Sequence, residues 1–137
     1  ACSAPAGRSL RIGHGAALAF GGEAIGVIGT PGHTRASVSY LWRDRLFCGD
    51  AFDMGACAVG GNETDPAQFF DSLTRRIFVL PEETLVFPAH PLKGRRVATL
   101  AELKMRFAQA LGCSRDAFIT DMACRRRMKS ATHSRFW

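Results

Sequence analysis

A chain of 137 residues, of which 47% are hydrophobic and ten are Phe, is long enough for one domain with a buried core and too apolar to be disordered. Its formal net charge of +6 arises at the end of the chain, because residues 1–124 contain 13 Lys and Arg against 12 Asp and Glu. A basic terminal segment is most often solvated, so the composition does not predict a nucleic-acid partner.

The cysteines indicate a reducing compartment. They stand at positions 2, 48, 57, 113 and 124 and form neither a Cys-x-x-Cys pair nor a zinc-ribbon spacing. A scattered, odd set of this kind predicts a cytoplasmic protein. No apolar run of about eighteen residues occurs, so no membrane association is expected. The sequence has no initiator Met and no signal peptide, which predicts that it was cut from a longer chain.

Strand patterns dominate the first half of the chain. The apolar runs 16–20 and 24–28 flank Gly21-Gly22, which predicts a β-hairpin. Two more strands are expected at 37–42 and 45–48, joined by a polar turn.

Helix signals follow a loop at residues 53–65. Asp65 is a suitable N-cap, because Pro66 fits the first helical position and Gln68 lies three residues beyond the cap. Thr99 and Glu102 form the capping box of a later helix. The expected elements are a helix from 65 to 80, a strand at 84–87, and helices at 99–111 and 114–122. This order predicts an α/β or α+β layered domain.

Three polar residues share one placement, shortly after the end of an apolar strand. They are His33, Asp50 and His90. Strand ends at one edge of a sheet converge, and α/β proteins bind ligands at such edges. Two imidazoles and one carboxylate suit Fe(II) or Zn(II). A single His after a strand is more often a surface or core residue, so spacing alone leaves both readings open.

Three motifs resemble successive motifs of the metallo-β-lactamase superfamily. They are Thr30-Pro31-Gly32-His33-Thr34, Phe47-Cys48-Gly49-Asp50-Ala51 and Val86-Phe87-Pro88-Ala89-His90. The resemblance implies the α/β fold of that superfamily, an αββα sandwich, of which this chain would be the C-terminal half only. The N-terminal His-x-His-x-Asp-His motif is absent from the sequence. On this basis residues 1–123 form a partial domain and 124–137 a basic tail, expected to be disordered.

Within the superfamily the sequence is most similar to the persulfide dioxygenases. The supporting stretches are residues 65–73, 77–81 and 93–99. The resemblance implies a mononuclear Fe(II) with His33 and Asp50 among its ligands, and the oxidation of glutathione persulfide to sulfite by dioxygen. It also implies that His90 is a nearby pocket residue, or a ligand of a second metal as in binuclear relatives.

Two alternatives remain open at this point. One is a glyoxalase II-like thioester hydrolase that uses Zn(II) to activate water. The other is a non-catalytic remnant or a module that needs a partner. The sequence departs from the dioxygenase pattern at residues 58–65 and at Pro91-Leu92. Because the first metal motif is also missing, this chain alone is expected to be inactive.

The remaining site candidates concern the substrate, expected to be a small thiol such as glutathione persulfide. Cys57 lies in a loop near the expected site and could meet the substrate sulfur. Arg95 and Arg96 could contact the carboxylates of glutathione. A homo-oligomer, or assembly with the missing N-terminal half, is the expected macromolecular association.

Overall fold

The computed structural model describes residues 11–52, 64–90, 94–111 and 114–133. The strands are β1 (Ala17–Phe20), β2 (Glu23–Gly29), β3 (Val38–Trp42), β4 (Arg45–Gly49), β5 (Leu85–Pro88) and β6 (Ala98–Thr99). The helices are α1 (Pro66–Ser72), continued by a π-helix (Leu73–Ile77), then α2 (Leu100–Leu111) and α3 (Arg115–His133).

All six strands form one sheet in chain order. Neighbouring strands are antiparallel except for β4 and β5, which are parallel. The expected hairpin is confirmed, with Phe20 paired to Glu23 around the glycine turn. Because of these directions, β2, β4 and β5 run the same way. Their C-terminal ends therefore lie at one edge of the sheet, as the sequence predicted.

The helices pack on one face of this sheet and form the core with it. Leu46, Cys48 and Val86 contribute from the strands and share a cluster with helix residues such as Phe69 and Phe118. Phe47, between two buried neighbours, lies on the opposite face and is 41% exposed. The alternation along β4 is that of a strand with one face in the core.

Helix α1 begins as predicted. Asp65 accepts hydrogen bonds from the backbone N–H groups of Ala67 and Gln68, and the Gln68 amide donates to the same carboxylate. These bonds, led by the one from the Gln68 backbone, hold the pKa of Asp65 below its ordinary value. The cap thus depends on an ionised carboxylate.

Replacing Asp65→Ala is expected to lower the free energy of unfolding by about 1 kcal/mol at neutral pH. Asp65→Asn keeps a capping oxygen and should cost less. Because the folded-state pKa of Asp65 is lowered, its contribution is fully present above the unfolded value of about 4 and is lost as the pH falls through the folded value. Urea unfolding at neutral and acid pH measures this, and equal acid sensitivity of the wild type and the Asn variant would contradict it.

Two helices differ from their predicted form. The helix expected to continue to residue 80 becomes a π-helix, in which the Phe78 N–H donates to the Leu73 carbonyl. The Thr74 hydroxyl donates to the Phe70 carbonyl, a contact that bends helices.

The last helix extends beyond the expected end at residue 122 and reaches His133, so the backbone of residues 124–133 is helical where a disordered tail was expected. Arg, Lys, Met and Ala are good helix formers, and extending an existing helix is much easier than starting one. Strand β6 was not predicted. Among the described residues, no helix is long and apolar enough to cross a membrane.

Candidate metal centre

The three predicted site residues follow the three strands that end at the same sheet edge. His33 lies in the loop after β2, Asp50 directly after β4, and His90 two residues after β5. Gly49, with φ of 56°, makes the turn that releases Asp50 from the strand. The Ala89 N–H donates to the Gly49 carbonyl at 3.1 Å and ties the ends of β4 and β5 together.

Asp50 lies between the two histidines. Its Oδ2 is 3.8 Å from His33 Nε2, and its Oδ1 is 3.0 Å from His90 Nε2. The side chain of His33 is 24% exposed, that of Asp50 37% and that of His90 71%. The structure therefore brings the three residues together, with His33 the least accessible of them.

The His33–Asp50 pair fits a shared cation. Two ligand atoms that each lie about 2.1 Å from one ion are at most about 4.2 Å apart, and the observed 3.8 Å is within that limit. His33 Nδ1 and Asp50 Oδ1 are buried without a hydrogen-bond partner among the described residues. His90 is close to that Oδ1, but in an ion-pair position and not in hydrogen-bond geometry. Unpaired buried polar atoms carry a free-energy cost. Neither of them is one of the two facing atoms, so the fit to a shared cation rests on the distance between His33 Nε2 and Asp50 Oδ2.

The pair alone is an incomplete site. Within residues 11–52, 64–90, 94–111 and 114–133, no group of three or more His, Cys, Asp or Glu side chains is arranged to hold a metal ion. His33 and Asp50 thus offer two ligands, and a closed coordination shell needs further ones.

The loop that carries His33, here called the His33 loop (residues 30–34), is held by residues that the sequence did not single out. Ser72 Oγ donates to the Pro31 carbonyl at 2.6 Å, and Thr64 Oγ1 donates to the His33 carbonyl at 3.2 Å. Arg76 Nη1 donates to the carbonyl of Gly29, the last residue of β2, at 2.5 Å. The sequence does contain an indication for Ser72, because a polar residue on the apolar face of a helix is expected to have a buried hydrogen-bond partner.

The predicted substrate residues have different outcomes. Cys57 lies outside the described residues. Arg95 makes two hydrogen bonds to Glu102, at 2.6 and 2.8 Å, and this contact lowers the pKa of Glu102. Arg96 is exposed. A role of either arginine in substrate binding remains a prediction.

Comparison with known proteins gives two groups of relatives. The hydroxyacylglutathione hydrolase of Vibrio parahaemolyticus serotype O3:K6 is 43% identical over 77 residues, which are 56% of this chain and 30% of that protein. The mitochondrial persulfide dioxygenase ETHE1 of Mus musculus is 33% identical over 96 residues, 68% of this chain and 38% of that protein. The chain thus spans about a third of the length of these curated relatives. No protein-family model matches it.

Solved structures agree on the fold. The crystal structure of ETHE1 from Myxococcus xanthus is 41% identical and superposes with a TM-score of 0.78, covering 83% of this chain and 51% of that one. A metallo-β-lactamase from Staphylococcus aureus, 24% identical with a TM-score of 0.72, covers 81% of this chain and supports the fold alone. The predicted fold class is confirmed.

Proposed function

We propose that this chain, a homologue of hydroxyacylglutathione hydrolases and persulfide dioxygenases with the fold of part of a metallo-β-lactamase domain, supplies metal ligands to a persulfide dioxygenase. The observation that carries this choice is the match to one solved structure. The Myxococcus xanthus ETHE1 structure is 41% identical over 83% of the chain with a TM-score of 0.78, whereas the di-iron-bound relative TTHA1623 is 27% identical over 73% with a TM-score of 0.57.

In this proposal His33 Nε2 and Asp50 Oδ2 hold one Fe(II), with the remaining ligands from outside the described residues. Fe(II) held there would supply the redox chemistry by which dioxygen oxidises a persulfide. Glutathione persulfide, dioxygen and one water would give glutathione and sulfite, so that the three sulfite oxygens come from dioxygen and water. The chain's own residues orient the ligands and bury the His33 side of the site.

A hydrolase is the second candidate, and the position of His90 favours it. In this alternative Asp50 and His90, whose Oδ1 and Nε2 lie 3.0 Å apart, would help to hold a second metal ion. Two Zn(II) at this position could activate water against a thioester such as a hydroxyacylglutathione. A solved relative in a di-iron-bound form is 27% identical, with a TM-score of 0.57.

Metal binding is the first test. Titration with Co(II) should show binding that His33→Ala and Asp50→Ala each weaken by about a hundredfold or more, because even a lost second-shell contact costs about ten- to a hundredfold. Asp116→Ala, which removes an exposed carboxylate on α3, is the control. Binding by the wild type no tighter than by the two site variants would overturn the proposal. His90→Ala separates the candidates, since only a two-metal site loses stoichiometry with it.

Activity requires a second experiment with a partner chain, because we propose that this chain is inactive alone. The chain can be co-expressed with the part of the Myxococcus xanthus protein that it does not match, which we propose supplies the remaining ligands. Iron-loaded assemblies should consume oxygen in the presence of glutathione persulfide. Zinc-dependent thioester hydrolysis without persulfide oxidation would favour the hydrolase instead.

A further inference from the structure

The His33 loop, together with Gly29 just before it, is held by hydrogen bonds to its backbone carbonyls. The carbonyls of Gly29, Pro31, Gly32 and His33 all accept hydrogen bonds from the single segment 64–76. Four acceptors within five residues, all held by one short segment, fix the loop as a unit against that segment. The position of the His33 side chain follows from the position of this loop.

Among the described residues, the His33 ring approaches a charged partner at Nε2, which lies 3.8 Å from Asp50 Oδ2. A metal-binding His usually donates its other ring N–H to a carbonyl or carboxylate, which sets the orientation of the ring. His33 Nδ1 is buried and has no such partner in the part of the chain that the structure describes. The hydrogen-bonded backbone of residues 29–33 therefore sets the position from which the ring reaches Asp50.

We propose that Ser72 and Arg76 are positioning residues that set the place of His33 and thereby the metal affinity of the site. This inference rests on the proposed metal site. Neither side chain touches the ion. Each acts on a carbonyl of the chain leading to His33, Ser72 on Pro31 and Arg76 on Gly29.

Ser72 fits this role because it lies where an apolar residue is expected. It is 5% exposed on the buried face of α1, next to the fully buried Leu73. Burying a hydroxyl costs free energy unless it is hydrogen-bonded, and the Ser72 hydroxyl donates its hydrogen bond to the Pro31 carbonyl. An Ala at this position would keep the packing but leave the Pro31 carbonyl without its donor.

Arg76 reaches the loop from the π-helix. Its neighbour Arg75 has a side chain that is 78% exposed and lies 4.0 Å from Asp71. Arg76 instead donates to the Gly29 carbonyl at 2.5 Å, where β2 ends. Irregular helical turns of this type occur frequently at functional sites. The two arginines are thus a matched pair. Arg76 is bonded to the carbonyl that precedes the loop, and Arg75 is largely exposed to solvent.

Two matched pairs of variants test the inference. Ser72→Ala is compared with Thr74→Ala, since Thr74 makes the same type of bond within its own helix, to the Phe70 carbonyl. Arg76→Met is compared with Arg75→Met, and Arg76→Lys should restore part of the effect. The probes are Co(II) affinity and amide hydrogen exchange at Gly32 and Thr34, normalised to the Leu46 amide in β4.

Ser72→Ala and Arg76→Met should each weaken Co(II) binding by about tenfold. The same two variants should speed exchange in the His33 loop relative to Leu46, and the control variants should do neither. Equal effects of Ser72→Ala and Thr74→Ala, or faster exchange at Leu46 and the loop alike, would overturn the inference. A wild type that binds no Co(II) contradicts the proposed function, while the exchange comparison still decides the positioning role.

Discussion

Gly32→Ala is expected to destabilise the chain by roughly 3 kcal/mol or more, because strain and overlap add at this position. Gly32 has a φ of 142°, which L side chains rarely adopt. A Cβ there would lie 2.3 Å from Phe69 Cα and 2.6 Å from Phe69 N. Both are backbone atoms of α1, so the His33 loop and the helix must move apart.

Gly21→Ala is the matched control for this experiment. Gly21 also has a positive φ, 55°, but an added Cβ would meet nothing within 4 Å. Its cost should be only about 1 kcal/mol, the usual penalty for a left-handed residue. Urea unfolding of the two variants separates overlap from strain. Similar losses for both would mean that the loop does not contact α1 this closely.

The second large effect is expected at Phe118, whose replacement by Ala should cost about 3–5 kcal/mol. The side chain is fully buried on α3. Its ring centroid lies 5.9, 5.5 and 5.6 Å from those of Phe69, Phe70 and Phe107. Removing it leaves a cavity between three helices. This loss is a large fraction of the total free energy of unfolding of a small domain, which is about 5–15 kcal/mol.

Met105 on α2 is 56% exposed and provides the control. Met105→Ala should change the free energy of unfolding by less than about 0.5 kcal/mol, and Phe118→Leu should fall between the two. Thermal unfolding followed by near-UV circular dichroism measures all three. A loss below about 1 kcal/mol for Phe118→Ala would show that α3 is not part of the cooperative core.

Most of the sheet was predictable because its signals are local. Gly21-Gly22 between two apolar runs specified the β1–β2 turn, and Asp65-Pro66 specified the start of α1. The π-helix was not predictable, since a shift from four- to five-residue hydrogen bonds leaves the apolar spacing almost unchanged. The full length of α3 was not predicted. The basic residues after residue 122 were expected to form a solvated tail because of their charge, although their helix propensity is high.

The site divides in the same way. His33, Asp50 and His90 could be found because each follows a strand, and strand direction alone brings them to one edge. The roles of Ser72 and Arg76 could not, since both act on backbone carbonyls across more than 40 residues of sequence. No sequence pattern marks which carbonyl a distant hydroxyl or guanidinium will reach.

The parallel pairing of β4 with β5 also bears on how the chain folds. The pairs β1–β2, β2–β3 and β3–β4 each join strands separated by a short loop, and such local pairs form fast. The Leu46–Val86 pairing closes a much longer loop, with its greater entropic cost. We therefore expect His33 and Asp50 to be brought near each other early in folding. His90 joins them only when this longer loop closes, in the slower step.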